Sequence, residues 1–128
     1  MKLRVARHTN NFPNILHFYT ELLGLELLGE FNNHDNYDGL FIGKPSLPWH
    51  LEFTRSKYPA NHQPDEDDLL VFYPENEEDY QQIINRMEVN KYPTYEPKNP
   101  YWKTNGILYK DPDGFGVIIS PLQIKPTN

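Results

Sequence analysis

The sequence predicts an α+β fold made of two βαβββ modules. Three observations carry that prediction. A strand-like segment at residues 3–8 runs into an apolar stripe at helical spacing: Phe12, Ile15, Leu16, Tyr19, Leu22 and Leu23. A second strand-like segment at 68–73 runs into a second stripe, Tyr80, Ile83, Ile84 and Met87. Each stripe is followed by short alternating segments, and the last pair flanks the turn Asp111-Pro112-Asp113-Gly114. Helices followed by runs of strands, given twice, indicate helices on one face of antiparallel or mixed sheets.

Residues 3–8 alternate, with Leu3, Val5 and Arg7 on one face and Arg4, Ala6 and His8 on the other. Asn10 and Asn11 suit a helix N-cap, Pro13 suits the first turn, and Gly24 stops the helix. Residues 26–31 read as a second strand, 32–38 as a polar turn and 39–43 as a third strand. After a loop at 45–48, residues 49–54 alternate clearly. Trp49, Leu51 and Phe53 point one way; His50, Glu52 and Thr54 point the other.

Residues 56–67 are rich in Pro, Asn and charge and read as a linker. The pattern then restarts. In the strand at 68–73, Asp68, Leu70 and Phe72 share a face. Asn76 caps the next helix, and Glu77, Glu78 and Asp79 in its first turn complement the helix dipole. Asn90-Lys91 ends it. Residues 93–96 read as a short extended edge, 97–104 as a loop holding Tyr101 and Trp102, and 106–110 and 115–120 as the last two strands. In the turn between them, Pro112 presets φ, both aspartates can bond their own backbone, and Gly114 tolerates positive φ.

The 128 residues, 38% hydrophobic, suffice for one compact domain. Its expected layout is module 1 at about 1–55, the linker at 56–67 and module 2 at about 68–122. A net charge of −6 argues against a nucleic-acid surface. The absence of Cys removes disulfides, thiolate metal ligands and a cysteine nucleophile. No apolar run is long enough to span a membrane. A soluble cytoplasmic protein is the expectation. No HExxH, Gly-rich phosphate loop or Ser-His-Asp arrangement is present.

Phe18-Tyr19 followed by Leu23-Gly24-Leu25, together with Asp111-Pro112-Asp113-Gly114 at this separation, resembles the vicinal oxygen chelate superfamily of glyoxalases, bleomycin resistance proteins and extradiol dioxygenases. Asn99-Pro100-Tyr101-Trp102 looks like a loop of its bleomycin-resistance-like members. The resemblance covers residues 3 to about 121. It implies paired βαβββ modules whose sheets curl around a shared cavity, commonly in a homodimer. Metal-dependent members take ligands from the first and last strands of each module. Those positions fall here at Arg4, Glu52, Asp68 and Ile118. Arg4 cannot ligate, and Ile118 stands where metalloenzymes carry Glu. The resemblance therefore implies a degenerate metal site with Glu52 and Asp68 as the remaining oxygen donors.

Glu52 is placed opposite the core face of Leu51 and Phe53; the fold implied by the resemblance brings the strand of Arg4 beside it, which makes Arg4 its partner in a buried ion pair or in a solvated one at the sheet edge. His50 lies on the same face and can act as an acid or base, or simply bond to backbone. Tyr101 and Trp102 on a loop, with Phe72 and Tyr109 sharing the parity of the cavity face that the resemblance implies, can line a ligand cleft or pack in the core. The first expectation is thus a protein that uses no cofactor and binds a small organic molecule through Arg4, Phe72, Tyr101, Trp102 and Tyr109. The alternatives are a Zn-, Ni-, Mn- or Fe-dependent lyase or dioxygenase using Glu52, Asp68 and a third donor such as His50, and a metal-independent acid–base enzyme using His50 and Glu52.

Overall fold

The computed structural model describes residues 1–124. It is a mixed α+β structure in two compact units, Met1–His62 and the residues from Gln63 onward. Each carries one small mixed sheet.

The first unit runs β1 (Leu3–His8), α1 (Phe12–Leu16), β2 (Glu26–His34), β3 (Tyr37–Gly43) and β4 (Trp49–Arg55). Asn11 caps α1, its side chain accepting from the Asn14 N–H at 2.9 Å. Beyond Leu16 the helix widens into a π-helical stretch, His17–Leu22, in which the Leu23 N–H reaches the Phe18 carbonyl. Thr20 Oγ1 donates to the Leu16 carbonyl, a side-chain bond that competes with the main-chain ladder at this point. The wider turn brings Phe18 and Tyr19 inward together with Phe12, Ile15, Leu22 and Leu23. Phe18 is absent from a strict 3.6-residue stripe for that reason. Gly24 ends the stretch with φ +85°, a conformation open to glycine.

The sheet order is β1-β4-β3-β2, with β1 parallel to β4 and the other pairs antiparallel. Leu40, Ile42, Leu51 and Phe53 are buried on one face, where Tyr19 packs on Phe53 at 5.2 Å between ring centroids. The polar segment 32–38 is not a broad turn. β2 continues to His34 and β3 starts at Tyr37, so the loop shrinks to Asp35 and Asn36 with φ of +52° and +67°. This is the positive-φ hairpin that Asn and Asp accept. The strand ends there are solvent-exposed, so their residues are polar without being loop.

The second unit runs β5 (Leu69–Phe72), α2 (Glu77–Val89), α3 (Tyr101–Asn105), β6 (Ile107–Lys110) and β7 (Gly116–Ile119), with sheet order β5-β7-β6. Asn76 caps α2 by accepting from the Asp79 N–H at 2.8 Å, and Ile83, Ile84 and Met87 are its buried residues. Residues 93–96 add a single bridge, Tyr95 to Leu108, in place of a full strand. The expected loop at 97–104 contains the short helix α3. The last turn forms as its residues predict. Asp111, 4% exposed, accepts from the N–H groups of Asp113 and Phe115, and Gly114 sits at φ +89°. Among the described residues no helix is long and apolar enough to cross a membrane.

Candidate functional site

The strand register of the first unit sets out the face opposite its helix in three rows. Arg4 lies beside His50 and Gly43; Ala6 beside Glu52, Phe41 and Gly29; His8 beside Thr54, Gly39 and Phe31. Small residues alternate with large ones, so Glu52 has Ala6 as a neighbour and His50, Phe41 and Phe31 each have a glycine. The sequence places Arg4, His50 and Glu52 on one face by alternation, and the parallel β1–β4 pairing makes them adjacent.

Arg4 Nε donates to His50 Nε2 at 2.9 Å. A guanidinium only donates, so His50 Nε2 carries the lone pair and the imidazole proton is on Nδ1. Arg4 Nη1 lies 3.8 Å from Glu52 Oε2, an ion contact longer than a hydrogen bond. The guanidinium also lies over the Phe41 ring, 4.8 Å from its centroid, and Phe41 meets the His50 ring edge-on at 6.0 Å. Arg4 is 52% exposed and Glu52 only 14%. The pair is therefore neither fully buried nor freely solvated: the carboxylate is mostly covered and the cation is wet.

Phe41 is the residue that sequence reasoning missed. Its signal was available, since it alternates with the buried Leu40 and Ile42 and is flanked by Gly39 and Gly43. Phe31 packs beside it at 5.7 Å between centroids. At the far end of the face, His8 bonds Thr54 Oγ1 at 2.8 Å and the Tyr58 carbonyl at 2.9 Å, and His62 bonds the His8 carbonyl. Residues 58–62 are thus fastened to the first unit. An open crevice of about 470 Å³ lies near the hairpin, lined by Asn33, Asn36, Asp38, Arg55, Ser56 and Lys57. Its main charges neutralise each other. Arg55 bonds Asp38 at 2.9 Å, and this bond, with the Asn33 N–H, holds the Asp38 carboxyl below the usual range.

The remaining predicted residues lie in the second unit. Asp68 precedes β5, is exposed, and its carboxylate accepts from the Asp65 N–H within its own turn. Phe72 and Tyr109 do share a sheet face, but it is the face toward α2. Tyr109 is 1% exposed, packs edge-on to Tyr92 and feels the charges of Tyr80 and Glu88. Burial, then those neighbours, pushes its hydroxyl up to about 12. Tyr109 is a core residue. Ile118 points to the opposite face with Trp102 nearby, since a side chain at Gly106 would meet both. Tyr101 is exposed and touches Trp102 edge-on at 4.8 Å.

Among the described residues, no three His, Asp or Glu side chains are placed to hold a metal ion. Of the two expected oxygen donors, Glu52 faces a guanidinium and Asp68 accepts a hydrogen bond within its own turn.

Family models described as the YycE-like N-terminal domain and the YycE-like C-terminal domain match residues 3–54 and 67–120. The YycE protein of Bacillus subtilis (strain 168) is 38% identical over 121 residues, 91% of this chain and 85% of that protein. A 2.0 Å crystal structure of YycE from Bacillus subtilis superposes with a TM-score of 0.87 at 34% identity, covering 99% of this chain and 93% of that one. The trypanothione-dependent glyoxalase I of Leishmania major has a TM-score of 0.72 at 21% identity, covering 94% and 85%. TnmS3, an antibiotic-binding protein from Streptomyces sp. CB03234, has a TM-score of 0.64 at 16% identity, covering 94% and 93%. The last two share the fold. With two βαβ-led units, the Phe18-Tyr19 and Asp111–Gly114 signatures and these matches together, the chain belongs to the YycE-like family of the vicinal oxygen chelate superfamily.

Proposed function

We propose that this protein binds a small organic molecule on the Arg4–His50–Glu52 face and does so without a divalent metal. One observation carries the reading. The guanidinium of Arg4 occupies the place beside Glu52 where the superfamily resemblance puts a metal ligand, and it is fixed there by His50 and Phe41. A fixed cation beside a carboxylate supplies charge and hydrogen-bond donors, and it repels a second cation at that point. Phe41 and Phe31 add an aromatic surface of the kind that lines ligand sites. The antibiotic-binding relative of the same fold supports binding as a role for this architecture.

The direct test is calorimetric titration of chelator-treated protein with Ni²⁺, Mn²⁺, Zn²⁺ and Fe²⁺ under anaerobic conditions, beside Glu52→Gln. The expected result is no tight binding that depends on Glu52. Tight, near-unit binding abolished by Glu52→Gln would overturn the reading. A thermal-shift screen of small organic molecules then supplies the positive arm, since a ligand selective for the folded state raises the melting temperature. The same proposal includes a homodimer in the cytoplasm, which light scattering and fractionation would check.

A further inference from the structure

We propose that the ligand is a small zwitterion with an aromatic or otherwise apolar body, its carboxylate received by Arg4 and its ammonium by Glu52. The inference rests on the small-molecule reading and specifies the chemistry of the ligand.

The charges of the face are set side by side and left incompletely used. Of the five N–H bonds a guanidinium carries, Nε–H is spent on His50. At 3.8 Å the contact of Nη1 with Glu52 uses no hydrogen bond. Among the described residues, no other group bonds the Nη nitrogens of Arg4 or the carboxylate of Glu52. A planar fork is thus held by its Nε edge and by the Phe41 face, on a side chain that is half exposed. Such a fork fits a carboxylate through two parallel bonds. Beside it stands a carboxylate with acceptor capacity and little contact with water.

The alternatives fail on charge. A simple anion at Arg4 would sit against Glu52, and a simple cation at Glu52 would sit against Arg4. Each would gain one partner and be opposed by the other. A neutral ligand would satisfy neither group fully. A dipolar ligand oriented antiparallel to the Arg4–Glu52 pair meets both, leaves no charge stranded, and can insert because the pair is not hydrogen-bonded to itself. Ala6, the β1 neighbour of Glu52, is small, and Phe41 with Phe31 offers the ligand body an aromatic surface.

The experiment is titration of the full chain with L-phenylalanine, 3-phenylpropanoate and 2-phenylethylamine, followed by amide chemical shifts. The last two probes lack the ammonium and the carboxylate respectively. L-Phenylalanine is expected to bind at the Arg4–Glu52 face about tenfold or more tightly than either, as the loss of one charged hydrogen bond implies. Glu52→Gln should weaken L-phenylalanine and tighten 3-phenylpropanoate, which loses an opposing charge. Arg4→Met should weaken L-phenylalanine and tighten 2-phenylethylamine, which loses an opposing charge, and Arg4→Gln gives the same comparison should Arg4→Met fold poorly. Equal affinity for the three probes, a preference for either singly charged one, or indifference of L-phenylalanine to both substitutions would overturn the inference. If a neutral aromatic probe such as benzamide binds this face while L-phenylalanine does not, the zwitterion fails and the small-molecule reading stands. If no small molecule in the thermal-shift screen binds there, both fail.

Discussion

Arg4 donates through Nε to His50 Nε2 across the parallel β1–β4 pair, at 2.9 Å. This bond decides what the site can do. It fixes the imidazole tautomer, orients the guanidinium over Phe41 and leaves Nε2 unavailable as a base toward a ligand. In ¹⁵N spectra at neutral pH, His50 is expected to show an unprotonated Nε2 and a protonated Nδ1. Arg4→Met should change that pattern. A protonated Nε2 in the native protein would show that the bond is not made in solution.

Arg4 contributes modestly to stability, because it is half exposed. Arg4→Ala is expected to cost about 1–2 kcal/mol, combining a partly solvated ion pair with a cation–π contact. A fully buried pair would cost roughly 3–5 kcal/mol. Urea unfolding of the variant distinguishes the two, and a loss in the higher range would mean that Glu52 is stranded when its partner goes.

Gly106 is set by packing. A Cβ there would lie 2.5 Å from Ile118 Cγ2 and 3.2 Å from the Ile119 carbonyl oxygen. Ile118 is fully buried and cannot retreat. Gly106→Ala should therefore destabilise the protein by about 1–3 kcal/mol through overpacking. Its melting temperature should fall, and Trp102 fluorescence should shift, since the indole is the next neighbour at 3.5 Å.

Tyr92 and Tyr109 are both pushed up to about 12, in each case by burial first and then by nearby acidic and phenolic groups. Below pH 10 both are neutral in the folded and unfolded chain, and their contribution is fully present. Between pH 10 and about 12 the unfolded chain loses protons that the folded one keeps, so stability falls as pH rises. Phenolate absorbance should show at least two of the nine tyrosines still protonated at pH 11. Tyr109→Phe should flatten part of the alkaline loss of stability.

The sequence by itself determined the elements and their faces. Asn11 and Asn76 specify caps, Gly24 a helix stop, Asp111 to Gly114 a hairpin, and the alternation of residues 49–54 puts His50 and Glu52 together opposite Leu51 and Phe53. These are local matters, settled by backbone preference and by the period of the apolar pattern. Pattern could not show where the polar strand ends of β2 and β3 stop, because an exposed strand and a turn use the same residue types. Nor could it reveal the π-helical turn, which comes from a competition between side-chain and main-chain donors. Only the tertiary structure decided which predicted residues meet. Parallel pairing of β1 with β4 brings Arg4 onto His50 and beside Glu52, and pairing of β3 with β4 places Phe41 under the guanidinium. Packing against α2 makes Tyr109 a core residue although its parity looked available for a ligand. Contacts across 46 residues of chain depend on register and on which sheet face a helix covers, and neither is encoded at any single position.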